Sequence, residues 1–134
     1  MKNEHVCAIG FDVGSSSIKL LMVDGTGNIL IEKNRDYSSL KQQGFHIWDE
    51  ERKINASLLY EICIDMLKSS LSHQNEKPLV ISFSGFGPSV VILDKYGNPL
   101  QYSLTYAYQG AENYVKQLGD DFQKRTGCLP SKSY

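Results

Sequence analysis

Ile9-Gly10-Phe11-Asp12-Val13-Gly14-Ser15-Ser16-Ser17-Ile18-Lys19, residues 9–19, sets a carboxylate, a glycine and a run of serines where an apolar stretch turns back on itself. Val6, Ala8, Ile9 and Phe11 read as a buried strand before the turn, and Ile18, Leu20, Leu21, Met22 and Val23 as its partner after it. The spacing predicts two antiparallel strands joined by a short loop. A Walker loop needs a second glycine followed by Lys-Ser/Thr opening a helix, and a dinucleotide fingerprint needs spaced glycines between strand and helix. Neither pattern is present.

The residue types in that turn point to phosphate and magnesium. Gly14 permits positive φ and a close approach of the main chain to a ligand, so successive N–H groups can form an anion nest, and Ser15, Ser16 and Ser17 add short donors beside them. Asp12 ends an otherwise apolar strand, where a carboxylate is tolerable if it faces solvent, caps local N–H groups or holds a hard cation. Lys19 lies two residues past Ser17, so both point to one side of the second strand while Ile18 and Leu20 point to the other. The competing reading of DVGSSS is a plain Gly/Ser hairpin turn.

From here outward the sequence resembles a family. The loop, followed by Val23-Asp24-Gly25-Thr26-Gly27-Asn28-Ile29-Leu30, is similar to the N-terminus of the FGGY carbohydrate kinases, in the superfamily of actin, hexokinase and the heat-shock chaperone ATPases. Gly44-Phe45-His46-Ile47-Trp48-Asp49 resembles the family's Gly-Trp-x-x-x-Asp stretch. Val80-Ile81-Ser82-Phe83-Ser84-Gly85 and the hairpin Val91 to Leu100, LDKYGNPL at its end, resemble its next strand and hairpin, and Thr126-Gly127-Cys128-Leu129-Pro130 has a counterpart as well. The likeness covers essentially the whole chain; the first loop and the LDKYGNPL hairpin are its most distinctive parts.

The resemblance implies transfer of the terminal phosphoryl group of ATP to a sugar or polyol hydroxyl. It implies that Asp12 organises Mg2+, that Gly14, Ser15, Ser16 and Ser17 cradle the terminal phosphates, and that Lys19 approaches the transferred group. Such a site works mainly by positioning and charge neutralisation. Two stretches depart from the family. Gly85-Phe86-Gly87-Pro88-Ser89 stands where a Gln-Met-His type sugar contact is usual, and Tyr106-Ala107-Tyr108 stands where an aromatic-x-Asp-x-Arg element is usual. Phe86, Gly87, Pro88, Tyr106 and Tyr108 are therefore the candidate sugar contacts, able to stack or hydrogen-bond singly but not to grip vicinal hydroxyls bidentately.

The family's enzymes are several times longer than these 134 residues. The resemblance implies that residues 1–134 are the N-terminal part of the first kinase domain, with the general base and adenosine pocket beyond residue 134. No catalytic residue is then expected within the chain, which is expected to be inactive alone, since one wall of a cleft cannot exclude water. The remaining C-terminal domain is an expected partner. Two other readings compete: a catalytically silent nucleotide- or sugar-binding module from the same superfamily, and a structural fragment in which the loop is a vestigial hairpin.

Composition bounds the class. Hydrophobic residues at 41% and charged residues at 22% match folded domains and argue against disorder. A net charge of −1 leaves no basic footprint for nucleic acid. Cys7, Cys63 and Cys128 lack CxxC spacing and His5, His46 and His73 are scattered, so neither a disulfide framework nor a zinc site is expected. Residues 1–5 lack the basic flank of a signal peptide, and no stretch reaches the roughly 18 apolar residues of a membrane span, so the cytoplasm is expected.

The remaining pattern predicts an α/β, RNase H-like (actin-like ATPase) N-terminal domain, incomplete by its last strand and helix. A second turn at residues 24–28 leads to a third strand and a three-strand antiparallel meander, followed by a polar loop from Tyr37 to Gln43. Asp49 reads as an N-cap, with Ile54, Leu58, Ile62 and Met66 as a helical stripe to about Ser72, and Trp48 and Phe45 as staples of that helix. Pro78 precedes an apolar run that reads as a central strand buried on both faces. A short hairpin over 90–93 and 100–103 turns at residues 95–98. A last helix carries Ala111, Tyr114, Val115 and Leu118, with Gly119 as a stop and Asp120 as a restart ending at Gly127. An incomplete domain exposes a strand edge or helix face, which favours a homodimer.

Overall fold

Ile9, Phe11 and Val13 alternate with Ala8, Gly10 and Asp12, so the first strand has an apolar and a polar face, and Ile18, Leu20 and Met22 repeat the period after the turn. A computed structural model, which describes residues 6–72, 78–100, 102–108, 110 and 112–126, shows how the two pair. Strand β1 (Val6–Val13) runs antiparallel to β2 (Ser17–Asp24), with Phe11 opposite Leu20 and Ile9 opposite Met22. Strand β3 (Ile29–Asp36) extends the meander on β2. Strand β4 (Val80–Gly85) joins the other edge of β1 in parallel, giving a mixed sheet of order β3-β2-β1-β4.

This sheet, helix α1 (Tyr37–Gln42) and most of helix α2 (Ala56–Leu71) belong to the first of two compact units, Met1–His46 with Leu58–Phe86. Its core lies on one sheet face. Ile9, Phe11, Ile18, Leu20 and Met22 are buried there, and Phe11 stacks on Phe83 with ring centroids 5.0 Å apart. Lys33, the cross-strand partner of Leu20, shares that face and donates from Nζ to Ser69 Oγ at 2.8 Å, so α2 covers it with Leu59 and Met66 buried. The opposite face carries Gly10, Asp12, Lys19, Ser82 and Ser84.

The second unit comprises Ile47–Ser57 and Gly87–Tyr134. Its hairpin pairs β5 (Ser89–Val90) with β6 (Leu104–Thr105) and continues through a bridge between Leu93 and Pro99. Ile54 exchanges both backbone bonds with Ser103, at 2.9 and 2.8 Å, tying the 47–57 segment to the hairpin. Helix α3 (Glu112–Thr126) follows.

Four local expectations are corrected. Residues 37–42 are helix rather than polar loop, and a Schellman motif closes them: Gly44 N–H donates to Lys41 O, Phe45 N–H donates to Leu40 O, and Gly44 sits at φ 89°. Asp49 does not cap α2. Its Oδ1 accepts the Lys53 N–H at 2.8 Å and its own N–H donates to Lys53 O, closing a turn, so the helix begins at Ala56, after Asn55. Ile54 accordingly belongs to a bridge rather than to the helical stripe. Among the described residues strand β4 is not central: it ends the sheet with all six of its residues exposed, Phe83 at 64%. Gly119 does not stop α3, which runs through it to Thr126. Ala111, Gly127, Cys128, His5 and His73 lie outside the described residues.

The same five-residue turn recurs in both units. In residues 24–28 and 94–98 an aspartate Oδ1 accepts N–H bonds from the second and fourth residues on, Oδ2 accepts the asparagine Nδ2, and a glycine takes φ near 87°. The Asn28 and Thr26 bonds hold the Asp24 carboxyl far below the usual carboxylate range, and the Asn98 bonds lower that of Asp94. A depressed folded pKa means stability that is whole at neutral pH and lost as pH falls below about 4. We expect Asp24→Ala and Asp94→Ala each to lower the Tm at pH 7, with the gap to wild type narrowing toward pH 2. A gap independent of pH in circular-dichroism melts would show that the carboxylate charge is not what holds these turns.

No helix among the described residues is long and apolar enough to cross a membrane. Cys63 is a free, half-buried thiol, and burial pushes its pKa up. The described residues contain no group of three His, Cys, Asp or Glu side chains arranged to hold a metal.

Candidate functional site

Strand register builds the site. Asp12 faces Lys19 on β2 and Ser84 on β4, and Lys19 in turn faces Asn34 on β3. One polar row, Asn34–Lys19–Asp12–Ser84, therefore crosses all four strands on the face away from the core, with cross-strand Cβ atoms about 5 Å apart. Asp12 and Lys19 are both exposed. Gly10, in the next row beside Asp12, has open space where a Cβ would stand, so the floor around the carboxylate is clear. Sequence reasoning named Asp12 and Lys19, which the register brings side by side, but not Ser84 and Asn34, which flank them. Ser84 was legible as the last hydroxyl of a strand running beside β1, had that pairing been anticipated.

The serine turn closes the end of this row. Gly14 N–H donates to Ser17 O at 2.9 Å, and a Cβ on Gly14 would come within 3.3 Å of that same oxygen. A side chain here would press on that oxygen and push it back by a few tenths of an ångström, so glycine suits the close approach. Positive φ, a reason anticipated from sequence, is not used: among the described residues the glycines with positive φ are Gly27, Gly44 and Gly97. Ser15 and Ser16 are exposed, whereas Ser17 is buried at 9% exposure.

A residue absent from the sequence-based set holds the turn in place. Tyr37 donates its hydroxyl to Gly14 O at 2.8 Å and its backbone N–H to Ser16 O at 2.9 Å. Burial above all, with Cys63 and the Asp12 carboxylate nearby, pushes its phenol well above the ordinary value, so it stays a neutral donor. Only its position between a strand and a helix signalled it.

Of the anticipated sugar contacts, Phe86 continues the first unit past β4, its N–H donating to Val13 O at 3.1 Å, while Gly87, Pro88, Tyr106 and Tyr108 belong to the second. Tyr106 does not share an extended face with Tyr102 and Tyr108. It enters a turn in which its N–H donates to Pro88 O and the Tyr108 N–H to Thr105 O. Tyr108 instead lines a cavity of about 520 Å³ with Asp49, Lys53, Tyr102 and Leu104. There the Lys53 ammonium is paired with Glu51, whose hydrogen bond raises the lysine pKa, and lies 5.3 Å from the Tyr108 ring centroid. The cavity thus offers one acid, one cation and two phenols.

Comparison with known proteins agrees with this layout. The sequence profile described as the FGGY family of carbohydrate kinases, N-terminal domain, matches residues 7–130. A xylulose kinase of Staphylococcus xylosus is 29% identical over 116 residues, covering 83% of this chain, and one of Lactococcus lactis is 30% identical over 118 residues, covering 87%. The chain spans 23% of the length of each relative. Among solved structures, a gluconate kinase and a ligand-bound xylulose kinase, both of Lactobacillus acidophilus, superpose with TM-scores of 0.72 and 0.71 at 19% identity, covering 88% of this chain and 23% of theirs. These neighbours share its α/β, actin-like ATPase architecture. The chain belongs to the FGGY family of carbohydrate kinases, in the region of that family's N-terminal domain.

Proposed function

We propose that this chain supplies the phosphate-binding wall of an ATP-dependent kinase that phosphorylates a hydroxyl of a sugar or polyol, a pentulose in the first instance since both sequence relatives are named xylulose kinase. The observation that carries the proposal is the juxtaposition of the polar row with the serine turn at its end. Ser15 and Ser16 are its exposed hydroxyl donors, Gly14 allows the tight turn, Ser17 closes it, and Lys19 supplies a cation beside Asp12.

A single exposed carboxylate over an open glycine floor fits magnesium, which keeps most of its waters and takes one or two carboxylates together with substrate phosphates. Asp12 is the residue that would hold it. When bound, the ion neutralises charge on the phosphates. In the reaction the sugar oxygen bonds to the terminal phosphorus, the bond from that phosphorus to the bridging oxygen of ADP breaks, and the hydroxyl proton passes to a base outside this chain. Positioning and neutralisation are the share of catalysis these residues give.

Sugar hydroxyls need donors and acceptors beside a flat apolar surface, and the second unit offers these at Tyr108 and Tyr102 with Lys53 and Asp49. With the Asp/Arg pair replaced by Tyr106-Ala107-Tyr108, a module that binds without turnover is the second reading.

The test is ADP formation from MgATP with D-xylulose, measured on the 134-residue chain and on a longer polypeptide that joins it to the C-terminal part of a family member. Sugar-dependent turnover by the longer form alone is expected. Turnover by the chain alone would overturn the assignment of only one wall, and nucleotide binding without turnover in the longer form would select the silent module.

A further inference from the structure

We propose that Tyr37 is the positioning residue of the serine turn, setting the orientation of its peptide planes for phosphate; this rests on the nucleotide assignment above. The turn has a chemical difficulty. A carbonyl oxygen directed at a phosphate repels it, yet each peptide unit in a tight turn carries one. Here the carbonyls of Gly14, Ser16 and Ser17 all accept bonds from within the unit: the first from the Tyr37 hydroxyl at 2.8 Å, the second from the Tyr37 N–H at 2.9 Å, the third from the Gly14 N–H at 2.9 Å. In a planar trans peptide the N–H lies opposite the C=O. Drawing the Gly14 and Ser16 carbonyls onto Tyr37 therefore turns the N–H groups of Ser15 and Ser17 away from it.

One residue thus fixes two alternate peptide planes of a four-residue turn, one through its hydroxyl and one through its backbone N–H, and it does so from a protected place. Tyr37 is 7% exposed at the start of α1, whose far end is locked by the Gly44 Schellman closure. Leu40, also 7% exposed, buries the same short helix without touching the turn through a hydrogen bond, which makes it the natural control.

Tyr37→Phe keeps the ring and the backbone N–H and removes only the hydroxyl. With wild type, Tyr37→Phe and Leu40→Ala versions of the chain and of the longer polypeptide described above, 15N relaxation would report order at Ser15 and Ser16, thermal melts would report stability, and calorimetry of the longer form with MgADP would report affinity. In Tyr37→Phe we expect the order parameters of the turn to fall from about 0.85 toward about 0.6, MgADP affinity to drop about tenfold, and the Tm to move by only a few degrees. In Leu40→Ala we expect a lower Tm with turn order kept. Unchanged order at Ser15 and Ser16 in Tyr37→Phe, or equal loosening in both variants, would overturn the proposal. If the longer polypeptide with the wild-type sequence binds no MgADP, the nucleotide assignment fails by itself, while the order parameters still decide whether Tyr37 sets the turn.

Discussion

Leu20→Ala is expected to cost about 2–5 kcal/mol, the range for truncating a buried leucine, and so to remove much of the total stability of a domain that has about 5–15 kcal/mol to lose. Leu20 is fully buried at the middle of β2, opposite Phe11 on one side and Lys33 on the other. Both neighbours are tied in turn, Phe11 to Phe83 by stacking and Lys33 to Ser69 by a hydrogen bond. The hole would open between strands whose backbone ladders hold them apart, so little of it can close. Urea unfolding followed by circular dichroism should show a lowered midpoint with the slope retained, while the volume-conserving Leu20→Met should lose less than about 1.5 kcal/mol. A cost for Leu20→Ala below that of Leu20→Met would mean that this face is not the core.

The expected loss also explains why the meander was legible from sequence. Wherever one face is buried and the other polar, a period of two residues fixes both strand and register. Ile18, Leu20 and Met22 show that period without a break. Strand β4 offered no such guide. Its apolar run reads as covered on both faces, but run composition reports what a strand can bury, and the described residues place only β1 beside it. Helix α1 was missed because Tyr37-Ser38-Ser39-Leu40-Lys41-Gln42 is polar outside Tyr37 and Leu40. Its signal lay past the end, in a glycine followed by Phe45, the C-terminal closure just described.

Asp49 failed in a different way. An aspartate before acidic residues and an apolar stripe suits a helix start, yet its carboxylate closes a turn five residues long and the helix waits until Ala56. The same chemistry, a carboxylate accepting a backbone N–H, serves cap and turn alike, and only tertiary pairing of Ile54 with Ser103 decides between them. The site divides along the same line. Asp12 and Lys19 were legible because hairpin register follows from a short turn, whereas Ser84 needed a parallel pairing across some 70 residues of sequence and Tyr37 needed the return of a helix onto the loop.

Asp12→Asn should separate a metal-organising carboxylate from a merely exposed one. Asp12 lies on the open face of the sheet and enters no ion pair among the described residues, so the substitution should leave the Tm unchanged within a degree or so, as for most surface changes. Its effect on nucleotide binding should depend on magnesium. A charge-assisted interaction is worth about 1.5–3 kcal/mol, so affinity for MgATP should fall about tenfold to a hundredfold. With chelator in place of magnesium the sign reverses, because the Asp12 carboxylate then repels the phosphates and asparagine does not. The variant should bind metal-free ATP as well as wild type or better. Titration calorimetry in both conditions reads this crossover directly. A loss of affinity of equal size with and without magnesium would make Asp12 a structural part of the turn, and no change in either condition would remove it from the site, leaving Lys19 and the exposed serines as the whole of the phosphate wall.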